Sequence, residues 1–303
     1  MSTLGAWIKA ARPRTLPLSL SGIILGLGLT VGHGNTAPIA VIGCLLTTIC
    51  FQVLSNFAND LGDGMKGTDN AQRIGPARAV QSGEISIRQM KMAVSVLGIL
   101  SVLSAGTLIY AAPAIHSVNG IICYTVLALL CVLAAITYTV GKKAYGYHGL
   151  GDLMVFLFFG MVAVSGTKHL FEETYSINEL LGAFSIGAWS TMVLNLNNMR
   201  DIANDAASGK RTMVVLLGSK NAKRYHYLLA VLGCSAWIIL LYRHANETQN
   251  YLILVAGLPV LLFAKHIAQV IKIKEPKAFD PELKKVALST FFASILYYAL
   301  SYL

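Results

Sequence analysis

Charged residues are scarce in this sequence. Of its 303 residues, 13% are Asp, Glu, Lys or Arg, and 55% are hydrophobic, whereas about a quarter of a soluble domain is charged. This scarcity excludes an ordinary soluble domain and predicts a polytopic, all-α membrane protein. We expect a single domain over residues 1–303 that folds as a bundle of nine transmembrane helices. The N-terminal apolar run lacks a small-x-small cleavage site, so no cleavable signal peptide is expected.

Several common signatures of chemistry are also missing. No Cys-x-x-Cys pair, Ser-His-Asp or Cys–His arrangement, zinc-ligand spacing or glycine-rich nucleotide loop is visible. The five cysteines all fall within apolar runs, which is typical of small packing residues. The net charge of +10 would suit nucleic acid, but in a membrane protein the basic excess belongs to cytoplasmic loops. No nucleic-acid partner is therefore expected.

Nine apolar runs are long enough to be membrane spans. Their predicted ranges are 16–31, 38–59, 90–112, 117–140, 151–167, 177–199, 225–242, 251–271 and 286–303. With this arrangement, all but Lys168 and Arg243 of the 24 Lys and Arg residues lie on one side of the membrane. The positive-inside rule makes that side cytoplasmic. We therefore expect a bacterial cytoplasmic (inner) membrane protein with its N-terminus inside and its C-terminus outside.

Carboxylates and amides occupy the end of the second span. Asn56, Asn59, Asp60 and Asp63 follow the i, i+3, i+4, i+7 spacing and so share one helical face. A carboxylate at a bilayer centre costs about 2.5–3.5 kcal/mol, less near the interface, and needs a compensating partner. Oxygen ligands on one face suit Mg²⁺, which bridges to substrate phosphates. Asp69 breaks the spacing, so it is either an outer contact of the site or a turn residue.

A second acidic stretch repeats the first at the end of the sixth span. Asn59-x3-Asp63-x3-Gly67 can be laid over Asp201-x3-Asp205-x3-Gly209. The repeat indicates two facing helix ends at the cytoplasmic side that clamp a diphosphate through Mg²⁺, whereas helix ends in water are the simpler alternative. The predicted metal ligands are Asn59, Asp60, Asp63, Asp201 and Asp205. The four aspartates among them are also the predicted catalytic groups.

Basic and aromatic residues accompany both acidic stretches. Arginine and lysine beside the metal would bind an anionic substrate, or they are positive-inside loop charges. Tyr138, Tyr145 and Tyr147 would stabilise an allylic cation, or they belong to the interfacial belt. Asp152 either orients a substrate group or caps a helix. The predicted substrate-binding set is Asn56, Lys66, Arg73, Arg78, Tyr145, Lys210 and Arg211, with Tyr138 as a further catalytic residue.

The motifs resemble those of the UbiA superfamily of intramembrane prenyltransferases. The matching stretches are Asn59-Asp60-Leu61-Gly62-Asp63 and Asp201-Ile202-Ala203-Asn204-Asp205. Superfamily members often carry a further aspartate where this chain has Gly67 and Gly209. That departure, with Arg12-Pro13-Arg14-Thr15, Arg73-Ile74-Gly75-Pro76-Ala77-Arg78 and Tyr145-Gly146-Tyr147-His148-Gly149, looks like the branch that prenylates 1,4-dihydroxy-2-naphthoate. The likeness extends to about Arg224 and is weak beyond.

The resemblance implies a reaction. A Mg²⁺-dependent enzyme would transfer a polyprenyl chain from polyprenyl diphosphate to 1,4-dihydroxy-2-naphthoate, releasing CO₂ and diphosphate and forming demethylmenaquinone for menaquinone biosynthesis. Its partners would be these two substrates and membrane lipid; the oligomeric state stays open. The alternatives are a related prenyltransferase that uses 4-hydroxybenzoate or homogentisate, and, more remotely, a membrane ion transporter.

Overall fold

The computed structural model describes residues 3–30, 37–70 and 73–303. Within these ranges the chain is all-α, and no strand is present. The helices, numbered in chain order, are α1 Leu4–Ala11, α2 Leu16–Gly28, α3 Pro38–Met65, α4 Ile87–Ala111, α5 Val118–Thr137, α6 Gly151–Phe171, α7 Ile177–Ala207, α8 Met213–Thr248, α9 Pro259–Lys272 and α10 Asp280–Leu300. Short 3₁₀ turns at Tyr251–Gly257 and Pro276–Phe279 lead into α9 and α10.

The helices confirm a membrane bundle. Eight of them, counted with the 3₁₀ turns before α9 and α10, are long and apolar enough to cross a bilayer. The ninth predicted span corresponds to α2, which has 13 described residues and a length of about 20 Å at 1.5 Å per residue. The end of its predicted range reaches residue 31, which lies outside the described residues. The chain is therefore an integral membrane protein, and residues 3–30, 37–70 and 73–303 form nine bundle helices, one of them short.

Two predicted boundaries were too short. Helix α3 continues to Met65 and α7 to Ala207, because their polar ends stay helical and are buried against other parts of the protein. The predicted long loop from Arg200 to Arg224 is also largely helical. It contains the end of α7 and the first turns of α8, where Gly218, with φ of 73°, produces a kink.

Side-chain caps account for several helix starts. Ser117, Ser176 and Thr212 accept hydrogen bonds from the first-turn backbone N–H groups of α5, α7 and α8. At α4, Ser86 and Gln89 form a reciprocal capping box. Each cap satisfies backbone donors that have no partner within the helix. These polar residues precede long apolar runs, so they define where the helices begin.

Helix α7 lies at the centre of the bundle. Trp189 on α7 stacks on Phe263 at 4.5 Å between ring centroids and contacts Trp237 at 5.4 Å. On another side, α2 packs closely on α6: a Cβ added to Gly26 would lie 2.7 Å from the carbonyl oxygen of Val164. Small residues allow such close helix contacts in membrane proteins. The packing holds α7, which carries the second acidic stretch, in a fixed position.

Candidate active site

Both acidic stretches line one cavity of about 590 Å³. It begins at the ends of α3 and α7 and extends between the helices to Thr167 and Leu170 at the far end of α6. Its polar end contains most of the predicted site: Asn56, Asn59, Asp63, Arg73, Arg78, Tyr138, Tyr145, Asp201, Asp205 and Lys210. The structure therefore brings together, in one cavity, ten side chains that are far apart in sequence.

The two acidic helices end in the same way. Gly67 and Gly209 both adopt φ of 71°, the left-handed conformation that glycine tolerates best. The N–H of Thr68 then donates to the carbonyl of Asp63 at 3.0 Å, and the N–H of Lys210 donates to the carbonyl of Asp205 at 2.8 Å. These 6→1 bonds are those of a Schellman motif. The repeated Asp-x3-Gly spacing thus places each aspartate in the last turn of its helix, where the helix dipole is negative and attracts cations.

Asp63 is the most highly connected carboxylate of the site. It is buried, and it accepts hydrogen bonds from Tyr147 Oη at 2.7 Å, Lys210 Nζ at 3.1 Å and Asn59 Nδ2 at 3.1 Å. Lys210 comes from the segment after α7, so its ammonium group joins the second acidic stretch to the first. Burial alone would lower the pKa of Lys210, but the charges of Asp63 and Asp205 outweigh burial and raise that pKa. Lys210 therefore stays a cation in this site.

Tyr147 connects three segments. Its hydroxyl also lies 2.6 Å from Thr68 Oγ1, its backbone carbonyl accepts from the N–H of Arg211 at 3.2 Å, and Lys66 Nζ lies 3.9 Å above its ring. Burial and the neighbouring Asp63 raise the pKa of Tyr147 above its ordinary value. The phenol is therefore neutral and remains a hydrogen-bond donor to Asp63.

Asp60 occupies a different position from Asp63. Its carboxylate is fully buried and accepts hydrogen bonds from the backbone N–H groups of Ala79 at 3.1 Å and Val80 at 3.2 Å. It does not line the cavity. These bonds fold the segment after the first acidic stretch back onto α3, so the geometry gives Asp60 a structural contact, and its metal-binding role stays a prediction without support from the cavity.

Two predicted substrate contacts also lie off the cavity. Lys66 and Arg211 are exposed at the surface and are absent from the cavity wall. Lys66 covers the ring of Tyr147, and Arg211 contributes a backbone N–H to it. The structure therefore connects both residues to the site through Tyr147.

The second acidic stretch is tied to α10 through Arg200. This buried guanidinium donates to both oxygens of Asp201, at 3.1 and 2.7 Å, to Asn197 Oδ1 at 2.9 Å, and to Asp280 at the start of α10. Arg73 Nη2 lies 3.5 Å from Asp201. Asp201 is thus paired with two arginines. Asp205, in contrast, is buried, and its side chain forms no hydrogen bond with the residues that the structure describes.

Three arginines meet on the side of the cavity nearest α1. Arg12, Arg73 and Arg78 all line it, and each has a buried Nε with no hydrogen-bond partner. Arg73 is bonded to Asp69, which Arg78 also faces, and Arg12 Nη2 donates to Asn59 Oδ1 at 2.8 Å. Burial, together with the charge of Arg73, lowers the pKa of Arg12 to about 10, at which it remains a cation. Such a cluster of buried positive charge favours an anionic ligand.

The oxygen donors fit Mg²⁺ only together with a phosphate. Across residues 3–30, 37–70 and 73–303, no group of three His, Cys, Asp or Glu side chains could hold a metal ion by itself. Asp63 and Asp205 are nevertheless oxygen donors at two helix C-termini. Asn204 donates through Nδ2 to the carbonyl of Thr68 at 2.8 Å, which leaves its buried Oδ1 without a partner. Mg²⁺ is commonly held by one or two carboxylates plus water and substrate phosphates, so this donor set suits it.

Three of the remaining predicted residues, Asn56, Tyr138 and Tyr145, line the cavity. Tyr138 and Tyr145 meet edge to face at 5.3 Å between ring centroids, and Tyr145 Oη donates to the carbonyl of Ala134 at 2.8 Å. Asn56 Nδ2 donates to the carbonyl of Ala11 at 2.8 Å and so fastens α1 to α3. Asp152 is buried beside Tyr225, with Oδ1 unpartnered, and does not line the cavity.

Some site residues escaped prediction. Arg200 directly precedes Asp201, the first residue of the second acidic repeat, so its charge inside a helix end was a usable signal. Thr68, Asn204 and Asp280 carried none, because their contacts depend on how separate helices pack together.

Comparison with known proteins agrees with this architecture. The model of the UbiA prenyltransferase family matches residues 19–295. The chain is 39% identical to a 1,4-dihydroxy-2-naphthoate octaprenyltransferase from Haemophilus influenzae over 97% of this chain and 94% of that protein. It is 38% identical to the Escherichia coli protein of the same name, over 98% and 95%. The fold matches a UbiA homolog from Archaeoglobus fulgidus bound to DMAPP and Mg²⁺, with a TM-score of 0.65, 14% identity and coverage of 95% and 98%. The chain therefore belongs to the UbiA prenyltransferase family.

Proposed function

We propose that this protein transfers a polyprenyl chain from polyprenyl diphosphate to 1,4-dihydroxy-2-naphthoate, with loss of diphosphate and CO₂, and so makes demethylmenaquinol, the quinol form of demethylmenaquinone. The observation that carries the proposal is the single cavity whose charged end joins two acidic helix termini and whose other end is apolar. Such a cavity suits a ligand with a charged head and a long hydrocarbon tail. The names of the relatives from Haemophilus influenzae and Escherichia coli support this choice of substrates.

The charged end would bind the donor diphosphate. Asp63, Asp205, Asn59 and the free Oδ1 of Asn204 would hold Mg²⁺, and Lys210 and Arg73 would contact phosphate oxygens directly. When bound, Mg²⁺ would neutralise the diphosphate and make it a better leaving group. Asp201, already paired with Arg200 and Arg73, would keep these two guanidinium groups oriented. Its predicted role as a metal ligand stays a prediction.

The apolar part would hold the prenyl tail. Along α3 the cavity extends from Asp63 to Cys44, which is 19 residues and about 28 Å of helix. Helices α5 and α6 also line this part through residues such as Leu127, Cys131, Phe158 and Val162. An apolar wall that excludes water would protect an allylic cation from hydrolysis.

The acceptor would lie between the donor and the arginine cluster. Its carboxylate would pair with Arg12 and Arg78, whose Nε groups are unsatisfied. The allylic C–O bond breaks and its electron pair leaves with diphosphate, while Tyr138 and Tyr145 face the developing cation. The ring carbon that bears the carboxylate then bonds to the allylic carbon. The bond to the carboxylate breaks, its electrons restore the aromatic ring, and CO₂ leaves.

We also propose the cellular arrangement. The basic segments and both acidic helix ends share one face, which the positive-inside rule assigns to the cytoplasm of a bacterial inner membrane. The N-terminus would lie inside and the C-terminus outside, so the aromatic acid reaches the site from the compartment in which it is soluble.

An acceptor panel tests the proposal. Membranes carrying the protein would be given Mg²⁺, octaprenyl diphosphate and either 1,4-dihydroxy-2-naphthoate, 4-hydroxybenzoate or homogentisate. We expect a prenylated, decarboxylated product from the naphthoate only, identified by mass spectrometry. Prenylation of 4-hydroxybenzoate or homogentisate instead would show that the proposed acceptor is wrong, but it would leave the proposed donor site unchanged. No prenylation of any acceptor would contradict the proposal.

A further inference from the structure

A second, smaller pocket opens on the surface beside α1. Its volume is about 270 Å³, and it lies between the end of α1 and the segment around residues 76–79. Lys9, Arg14 and Ala77 at its mouth are exposed, whereas Asp60 and Arg78 at its floor are buried. The pocket is therefore an open hollow with an ionic base.

The charge of this pocket is strongly positive. Lys9, Arg12, Arg14 and Arg78 line it, against the single carboxylate of Asp60. The carboxylate of Asp60, which accepts two backbone hydrogen bonds, offsets one of these charges, and Glu84 pairs with Lys9 at 2.9 Å, so the lining keeps a net positive charge. The Nε groups of Arg12 and Arg78 are buried and have no hydrogen-bond partner, although Asp69 Oδ2 lies 3.9 Å from Arg78 Nε. Unsatisfied buried donors on a cation are costly, so this arrangement favours an anion.

The apolar part of the pocket lining favours an aromatic anion over an inorganic one. Between the cations lie small apolar side chains, of which Pro13, Pro76 and Ala77 are exposed. Inorganic phosphate or diphosphate gains nothing from apolar walls, whereas a flat aromatic ring buries hydrocarbon against them. A guanidinium group can also bind a carboxylate bidentately. The pocket therefore suits an aromatic carboxylate.

The pocket is joined to the main cavity by shared residues. Arg12 and Arg78 line both, so their guanidinium groups separate the two spaces. Arg12 has a left-handed backbone, with φ of 52°, at the end of α1, an uncommon conformation for a residue other than glycine. This turn reverses the chain at the end of α1 and lets the Arg12 side chain reach Asn59 in the first acidic stretch.

We propose that this pocket is the cytoplasmic entry site for the aromatic carboxylate acceptor, which passes Arg12 and Arg78 into the main cavity. The donor enters separately, from the lipid. The inference rests on the proposed function, because it names the route by which the same acceptor reaches the same site.

Blocking the mouth tests the route. Ala77→Trp would fill it, and Ile74→Trp is the matched control, since Ile74 is exposed on the same segment and lines neither space. In steady-state assays we expect Ala77→Trp to raise the KM for the naphthoate about 10-fold or more. Its kcat at saturating acceptor and its KM for octaprenyl diphosphate should match those of Ile74→Trp. An unchanged KM for the naphthoate would overturn the proposal.

Reversing a charge at the rim of the small pocket tests the proposed route independently. Lys9 lines only the small pocket, and Lys143 is an exposed control that lines neither. A charge at the rim of a site changes the association rate and its dependence on salt. We therefore expect Lys9→Glu, but not Lys143→Glu, to lower kcat/KM for the naphthoate at low salt, with the difference shrinking at high salt. Equal effects of the two substitutions would count against the pocket.

Binding without turnover separates this inference from the proposed function. Full-length protein in nanodiscs would be titrated calorimetrically with 1-hydroxy-2-naphthoate, without donor or Mg²⁺. Binding to the wild type and Ile74→Trp, with loss in Ala77→Trp, would support the pocket even if the enzyme used another acceptor. Equal binding to both variants would overturn it. An anionic lipid headgroup is the other possible ligand of this pocket, and the same titration in phosphatidylglycerol nanodiscs tests it. If phosphatidylglycerol abolishes the binding seen in phosphatidylcholine nanodiscs, a headgroup occupies the pocket and the proposal fails.

Discussion

At the scale of single residues, the site is organised by hydrogen bonds to Asp63. Its three donors come from α3, from the segment after α5 and from the segment after α7. The spacing of the acidic repeat was sufficient to predict that Asp63 and Asp205 share a site. Tyr147 was predicted either to stabilise an allylic cation or to belong to the interfacial belt. Its hydrogen bond to Asp63 could not be predicted, because that bond spans 84 residues of sequence and depends on tertiary packing.

Removing the Tyr147 hydroxyl should weaken catalysis without unfolding the protein. A hydrogen bond to a charged group contributes about 1.5–3 kcal/mol, so we expect Tyr147→Phe to lower kcat/KM for the donor by about 10-fold or more and to raise the Mg²⁺ concentration needed for half-maximal activity. Steady-state kinetics across a Mg²⁺ series measures both. Tyr110→Phe is the control, since Tyr110 is almost fully exposed; identical Mg²⁺ curves for the two variants would remove Tyr147 from the site.

The two aspartates of the first stretch should respond differently to neutralisation. Asp63→Asn is expected to abolish turnover and, because the buried Lys210 loses its carboxylate partner, to lower the melting temperature as well, whereas the folded Asp60→Asn protein should retain turnover. Asp60→Asn should lower the melting temperature, because one of the N–H groups of Ala79 and Val80 loses its carboxylate acceptor and meets an amide instead. Thermal unfolding in detergent and turnover would be measured side by side. A stable but inactive Asp60→Asn protein would restore Asp60 as a metal ligand.

At the scale of secondary-structure elements, composition and periodicity predicted the helices, and tertiary contacts decided their ends. The predicted spans stopped at residues 59 and 199, where polar residues begin, yet both helices continue for more than a turn. Hydropathy marks where a helix leaves an apolar environment, whereas Gly67 and Gly209 end the helices by their backbone conformation. The acidic repeat therefore belongs to helix ends that protein packing buries.

A buried polar chain connects four helices behind the site. Asn195 on α7 contacts His226 on α8 at 3.1 Å, His226 contacts His266 on α9 at 2.8 Å, and His266 contacts Glu282 on α10 at 2.6 Å. Removing one partner of a buried ionic contact costs about 3–5 kcal/mol. We therefore expect His266→Ala to lower the melting temperature by several degrees. His116→Ala, at an exposed histidine, is the control, and equal melting temperatures for both would show that the chain is not stabilising.

At the scale of the whole molecule, the fold brings the ends of α3 and α7 together so that both acidic stretches face one cavity. The internal repeat in the sequence predicted this convergence. Arg73 and Arg78 were predicted to bind substrate, but their meeting with Arg12 and the small pocket beside α1 were not predictable, because both arise where α1 and the segment after α3 meet. Their residues were visible as basic loop residues, for which orientation in the membrane is the ordinary explanation.

The most direct test of the account is the release of labelled CO₂. Membranes carrying the protein would receive octaprenyl diphosphate, Mg²⁺ and 1,4-dihydroxy-2-naphthoate labelled in its carboxyl group, with EDTA and the Asp205→Asn variant as parallel samples. The account predicts one labelled CO₂ for each lipid-soluble quinol formed by the wild type, and loss of both products with EDTA and in the variant. Equal release of CO₂ with and without EDTA, or by Asp205→Asn, would contradict the claim that the two acidic helix ends act on the diphosphate through a metal ion.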